Sequence, residues 1–149
     1  ELDLLKDGGW NEAAQGCKYI MHLASPFPFK VSNNRNSLLA PAVDGTLRVL
    51  NAGLNADVEQ FIVTSSIAAM FRKPNRSNPY SFNENDWTDE NWKEGVNDYF
   101  LSKTKAEKAA WELMKSKGLK NKLTMINPGG VFGDALDKKG GTSIEYVRQ

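Results

Sequence analysis

Apolar residues recur along this chain in two rhythms, and each predicts a different element. Short continuous apolar runs at 17–23, 60–65 and 122–126 have the length and β-branched content of buried strands. Between the first two, Leu39, Val43, Leu47, Leu50 and Leu54 recur at three- and four-residue spacing, which predicts an amphipathic helix over 36–54. Pro41 is tolerable there because it lies in the first turns. A second helix is predicted from Val96 or Asn97 to Lys117, with Ala106, Ala110, Leu113 and Met114 on one side and Gly118 as its stop. Residues 7–15 read as a loop and a short helix ended by Gly16, and 144–149 read as another helix.

Strand, helix, strand, helix, strand is the order of a parallel sheet with right-handed crossovers. In such sheets a ligand lies beyond the carboxyl ends of the strands. Here those ends are Ala24-Ser25, Ser65-Ser66 and Asn127-Pro128-Gly129, small or polar residues that let a backbone approach a ligand; the three breaks are expected to line one crevice. Residues 26–35 form a loop rich in Pro, Phe and Asn. The stretch 71–95, with Pro74, Pro79 and the group Glu84-Asn85-Asp86-Trp87, is too long for a simple connection and reads as functional or disordered.

Composition narrows the chemistry. Lys and Arg number 19 against 18 acidic residues in 149, so no electrostatic case exists for nucleic acid or an anionic membrane. No stretch of eighteen apolar residues occurs. The single cysteine, Cys17, excludes an internal disulfide framework, fits a reducing, cytoplasmic location, and is expected to be a small buried hydrophobe. The one histidine, His22, is read as a packed strand-end residue rather than a base, so a His-based triad and a multi-His metal site fall away. The chain opens at Glu1 without a methionine and closes inside a helical pattern; one partial domain over 1–149, a piece of a longer protein, is the expectation.

Chemistry enters at Tyr99-Phe100-Leu101-Ser102-Lys103. Positions i and i+4 share a helical face, which sets the Lys103 ammonium beside the Tyr99 phenol. A free phenol has a pKa of roughly 10, and a close cation lowers such a value by ~1–3 units, making Tyr99 a candidate proton donor and acceptor. Ser66, just past a strand end on the same sheet edge, is positioned to share a substrate oxygen with it. Spacing alone leaves the structural alternatives open: Tyr and Lys four apart are common on helices, and strand-end serines often only satisfy backbone groups. The tryptophans Trp87, Trp92 and Trp111 are open between pocket and core.

These motifs together resemble an extended short-chain dehydrogenase/reductase. They are Thr64-Ser65-Ser66, Tyr99 to Lys103, His22-Leu23-Ala24-Ser25-Pro26 before them and Asn127-Pro128 after. Pro41-Ala42-Val43-Asp44-Gly45-Thr46, Asp86-Trp87 and Lys103-Thr104-Lys105-Ala106-Glu107 make the chain most similar to the dihydroflavonol reductase, cinnamoyl-CoA reductase and aldehyde reductase group, from Asp3 to about Ser143. The resemblance implies a Rossmann-type α/β fold, a parallel sheet with helices on both faces, here without its first βαβ unit and its C-terminal substrate part. It implies an NADP(H)-dependent oxidoreductase, NAD(H) not excluded, acting on a small-molecule carbonyl. Tyr99 would protonate the substrate oxygen, Lys103 would lower its pKa and hold the nicotinamide ribose, and Ser66 would hydrogen-bond the carbonyl. Asp3 and Leu4 match the adenine contact, Leu23, Ala24 and Ser25 line the dinucleotide, Pro128 and Val131 flank the nicotinamide, and Ser143 matches a further cofactor contact.

The sequence also departs from the group. The Gly-rich phosphate loop and the basic residue that selects the 2′-phosphate are absent from it. Phe71 stands where dihydroflavonol reductases carry a substrate-binding asparagine, and Val96-Asn97-Asp98-Tyr99 replaces the run typical of cinnamoyl-CoA reductases. The alternatives carried forward are an epimerase, dehydratase or hydroxysteroid dehydrogenase of the same superfamily, and a dinucleotide-binding regulatory protein without turnover.

Overall fold

The computed structural model describes residues 1–27, 36–77, 79–133 and 142–147. In chain order they form α1 (Trp10–Ala14), β1 (Tyr19–His22), α2 (Asn36–Asn55), β2 (Gln60–Thr64), a 3₁₀ turn (Ile67–Ala69), α3 (Asp98–Ser116), a second 3₁₀ turn (Lys120–Lys122), β3 (Leu123–Ile126) and α4 (Thr142–Val147). The three strands make one parallel sheet in the order β1-β2-β3, with Ile20 beside Phe61 and Phe61 beside Leu123. The parallel α/β sheet expected from the sequence is present.

Alternation sets which face is covered. On one face Ile20, His22, Phe61, Val63, Leu123 and Met125 point toward α2 and α3, and Leu50, Ala110 and Met114 from those helices complete the core. Burying a side chain such as Phe61 or Leu50 fully stabilises a fold by about 1.5–3 kcal/mol. On the other face Tyr19, Met21 and Ile126 are exposed, so the described helices α2 and α3 cover one side of the sheet. The approach of α2 is close at Gly53, where a Cβ would fall 2.3 Å from the Phe61 ring and 2.6 Å from Ile20.

Helix α3 carries Tyr99 and Lys103, and its limits follow from local hydrogen bonds. The Asn97 side chain accepts from the Phe100 amide at 3.0 Å, capping the N-terminus. Gly118, at φ 70°, ends the helix, and the Leu119 amide closes back on the Met114 carbonyl at 2.9 Å. Ala110 and Met114 pack from α3 into the core, and Ser102 and Thr104 are also buried, their hydroxyls donating back to the Tyr99 and Phe100 carbonyls at 2.8 and 2.7 Å.

Two expectations are corrected. The first strand is shorter than 17–23 because Cys17 closes the turn after α1, its amide donating to the Ala14 carbonyl. Cys17 is exposed rather than buried, its thiol against the Ala13 carbonyl at 3.5 Å. The loop 26–35 lies mostly outside the described residues, as do Arg148 and Gln149 at the end of the helix expected over 144–149.

Candidate active site

The long connection after β2 is held by specific bonds. Asp86, buried, pairs with Lys73, accepts from the Tyr80 hydroxyl at 2.8 Å and from the Asn83 amide at 2.9 Å. The Lys73 ammonium first, then the Asn83 amide and the Tyr80 hydroxyl, hold its carboxyl at about 2. Thr88, 1% exposed, donates to the Ala68 carbonyl at 2.7 Å and accepts from the Arg72 amide at 3.1 Å. The connection is thereby fastened to the 3₁₀ turn that follows Ser66, and it places Phe71 against Phe100, ring centres 5.4 Å apart.

One cavity of about 430 Å³ collects most of the residues singled out in the sequence. Leu23 and Ser25 after β1, Ser66 after β2, Tyr99 and Lys103 on α3, Pro128 and Val131 after β3, and Ser143 on α4 all line it. The strand-end breaks converge as the parallel topology requires. Ala24 is exposed between two of these lining residues. Asp3 and Leu4 lie away from that cavity. The Asp3 carboxylate accepts from the Leu5 amide at 2.9 Å, which holds its pKa below the usual value, while Leu4 packs on Gly45 and gives its carbonyl to Arg48 at 2.7 Å.

Within the cavity, Lys103 is 7% exposed and its Nζ stands 5.9 Å from the centre of the Tyr99 ring. No carboxylate or carbonyl among the described residues pairs with this ammonium. Burial accordingly lowers its pKa to about 8. Phe27 packs against the phenol, ring centres 4.9 Å apart. The Ser66 hydroxyl accepts from the Ala68 amide at 3.1 Å, starting the 3₁₀ turn, and its own proton is left to donate elsewhere. Phenol, hydroxyl and ammonium together can hold one oxygen and move a proton to it.

Below Lys103 a smaller cavity is lined by His22, Thr46, Ser65 and Glu107. His22 packs as expected, with its Nε2 3.4 Å from the Thr46 hydroxyl. Burial, aided by the Lys103 charge, lowers its pKa to about 4. Ser65 Oγ is buried with no hydrogen-bond partner among the described residues.

A larger cavity, about 730 Å³, lies between Met70, Trp87, Trp111 and Met125 and lacks Ser66, Tyr99 and Lys103. Convergent chemistry, rather than size, makes the cavity of about 430 Å³ the candidate site. Trp87 lines the larger cavity, Trp111 lines it and also packs against the core, and Trp92 packs over Gly95. Sequence reasoning missed the aromatic wall of Phe27 and Phe100 and the buried tie between Glu107 and Asn127, in which the amide donates to the carboxylate at 2.7 Å. A carboxylate on the buried side of a predicted helix was the available signal for that tie.

Comparison with known proteins gives the family and the fold. Residues 1–147 match the model of the 3-beta hydroxysteroid dehydrogenase/isomerase family. The chain is 37% identical over 148 residues to cinnamoyl-CoA reductase 1 of Petunia hybrida, covering 99% of this chain and 43% of that protein. It is 38% identical over 132 residues to the NADPH-dependent methylglyoxal reductase GRE2 of Saccharomyces cerevisiae, covering 82% and 39%. The crystal structure of yeast methylglyoxal/isovaleraldehyde reductase Gre2 complexed with NADPH superposes with a TM-score of 0.76 at 35% identity, over 92% of this chain and 44% of that one. The chain therefore spans about two fifths of the length of these relatives. With the parallel sheet, the convergent strand ends and these matches in hand, the chain belongs to the 3-beta hydroxysteroid dehydrogenase/isomerase family of the short-chain dehydrogenase/reductase type.

Proposed function

We propose that the intact protein is an NADP(H)-dependent oxidoreductase that reduces the carbonyl of a small aldehyde or ketone. The observation that carries this is the meeting of Ser66, Tyr99 and Lys103 on one cavity, with a buried ammonium for which the described residues supply no acceptor. A ribose diol fits that donor, since it brings the acceptors the ammonium lacks. Lys103 would hold the ribose, with Leu23, Ala24 and Ser25 along one wall and Pro128, Val131 and Ser143 along the other; Asp3 and Leu4 would serve the adenine end. When bound, the reduced nicotinamide supplies the hydride.

The residues of the chain do the rest. Ser66 donates to the carbonyl oxygen and orients it. Tyr99 gives its phenolic proton to that oxygen as negative charge develops there, and the Lys103 cation stabilises the phenolate left behind. Phe27, Phe71 and Phe100 supply apolar walls that keep water from the exchange.

The test is carbonyl-dependent loss of NADPH absorbance by the intact protein, with NADH in parallel. Tyr99→Phe is expected to lower kcat by ~10²-fold or more with cofactor affinity nearly unchanged, and Lys103→Ala to damage both. Near wild-type turnover by Tyr99→Phe removes the assigned proton donor. Oxidation of a 3β-hydroxysteroid without reduction of any aldehyde moves the assignment to a hydroxysteroid dehydrogenase, and cofactor binding without turnover over a broad carbonyl panel moves it to a regulatory protein.

A further inference from the structure

The three groups of the site are carried by two separate elements. Tyr99 and Lys103 ride on α3, whereas Ser66 sits in the turn that follows β2, more than thirty residues earlier in sequence. Productive geometry in such a site has to hold to within a fraction of an ångström, and a misplacement of about 1 Å can lower a rate ~10²-fold. Some contact must therefore fix α3 against the Ser66 turn.

Glu107 stands four residues beyond Lys103 and eight beyond Tyr99, on the same side of α3. It is 8% exposed, an unusual position for a carboxylate. Among the described residues no lysine or arginine pairs with it; the neighbouring Lys108 is engaged by Glu90 at 2.6 Å. Its Oε2 instead accepts from the side-chain amide of Asn127 at 2.7 Å, and its Oε1 lies 3.5 Å from the Trp111 indole nitrogen. The same Asn127 nitrogen also donates to the backbone carbonyl of Ser66 at 3.1 Å. Both partners are pure acceptors, so the amide nitrogen has to face them and the orientation of Asn127 is set by chemistry.

The Ser66 turn is gripped again on the same side. The Ile67 amide donates to the Pro128 carbonyl at 3.0 Å, and the Ser65 amide to the Ile126 carbonyl at 2.8 Å. Those bonds lock the serine turn to the end of β3, but neither reaches α3. The bridge Glu107 carboxylate, Asn127 amide, Ser66 carbonyl joins the helix of Tyr99 and Lys103 to the residue that would orient the substrate.

We propose that Glu107 is a positioning residue of this site, acting through Asn127 to set the distance between Ser66 and the Tyr99–Lys103 pair. The carboxylate suits the task because it accepts a short, charge-assisted bond from Asn127, stronger than a neutral acceptor would give. Glu107 does not line the cavity that holds Tyr99, which separates it from the reacting atoms. The assignment rests on the oxidoreductase reading above, and its test separates the two.

In the intact protein, Glu107→Ala is expected to lower kcat by ~10–100-fold while the dissociation constant for NADPH stays within about threefold. Asn127→Ala is expected to match it, and the double variant to be no worse than the worse single one, because both substitutions cut one bridge. Glu107→Gln keeps a carbonyl oxygen facing Asn127 and is expected to recover kcat to within about threefold of wild type. A residue that only stabilised the fold would shift the melting temperature and leave kcat per folded molecule unchanged. Wild-type kcat in Glu107→Ala, losses that multiply in the double variant, or a Glu107→Gln as impaired as Glu107→Ala overturns the proposal. If Glu107→Ala does not fold, Asn127→Ala and Glu107→Gln decide: an unimpaired Asn127→Ala overturns it. Tyr99→Phe in the same assay isolates the cause of a failure. Retained turnover there sinks the site reading itself, whereas lost turnover there beside a silent Glu107→Ala sinks the positioning role alone.

Discussion

Lys103 holds its ammonium 5.9 Å from the centre of the Tyr99 ring, one helical turn further on, in a position only 7% exposed. The same burial that would make this cation effective toward the phenol also makes it costly, and its pKa falls to about 8. Loss of the proton above that value removes the charge that stabilises phenolate. The expected outcome is a kcat/KM for NADPH, which reports the free enzyme, that is level below about pH 8 and declines above it. Measuring the profile from pH 6 to 10 checks this. A rate that stays level to pH 10 would show that the Lys103 charge is not needed.

His22 shares one small cavity with Lys103 and Glu107 from α3, Thr46 from α2 and Ser65 just past β2. Burial first, and then the Lys103 charge, lower the His22 pKa to about 4. The unfolded chain binds a proton on this residue near pH 6.5, whereas the folded one resists it until about 4. Stability from His22 is therefore present above pH 6.5 and is lost as the pH falls toward 4, to a total of about 3 kcal/mol at most. His22→Gln, neutral throughout and able to meet Thr46, is expected to flatten the acid limb of a melting-temperature profile. Parallel profiles for the two proteins between pH 7 and 4 would exclude His22 as the source.

Much of this arrangement could be read from the amino-acid order, because it rests on local rules. The 3.6 period places α2 and α3, Gly118 ends the second of them, and parallel topology brings the strand-end breaks at Ser25, Ser66 and Pro128 to one crevice. What escaped the sequence depends on contacts between distant segments. The bond between Glu107 and Asn127 joins residues twenty positions apart, and a carboxylate on the buried side of a helix calls for a partner without naming it. The Asp86 cluster is similar: the stretch 71–95 reads only as functional or disordered, and Lys73, Tyr80 and Asn83 close on the Asp86 carboxylate from separate positions within it. The exposed Cys17 misled for the opposite reason, since its burial was inferred from residue type while the turn after α1 turns it outward.

Phe71 lines the cavity beside Ser66 and Tyr99, edge-on to Phe100, with the Arg72 guanidinium 5.0 Å over its ring on one side. An apolar ring there offers no hydrogen bond to a hydroxylated substrate. Simple aliphatic or aromatic aldehydes are therefore expected to exceed dihydroflavonols in kcat/KM, and Phe71→Asn to narrow the gap by about tenfold, the scale on which one pocket contact discriminates. Competition assays with the two classes provide the measurement. A clear preference of the unaltered protein for dihydroflavonols would refute the role given to Phe71.

The last prediction concerns the sheet face that α2 and α3 leave open. Tyr19, Met21 and Leu23 follow one another on it at 57%, 69% and 65% exposure, and Ile126 on β3 adds 46%. Contiguous apolar surface of this kind is normally covered in a parallel sheet, which has helices on both faces. Strands β1 and β3 are also the two edges of the described sheet, each with unpaired backbone groups that invite association. The 149-residue chain produced alone is therefore expected to self-associate in a concentration-dependent way and to bind a hydrophobic dye. Replacing Tyr19 and Met21 by lysine should suppress both effects without touching the core, because neither side chain contributes to it. Sedimentation velocity over a hundredfold range of concentration reads the outcome. A chain that stays monomeric at every concentration, with the lysine variant indistinguishable from it, would mean that the open face is not adhesive.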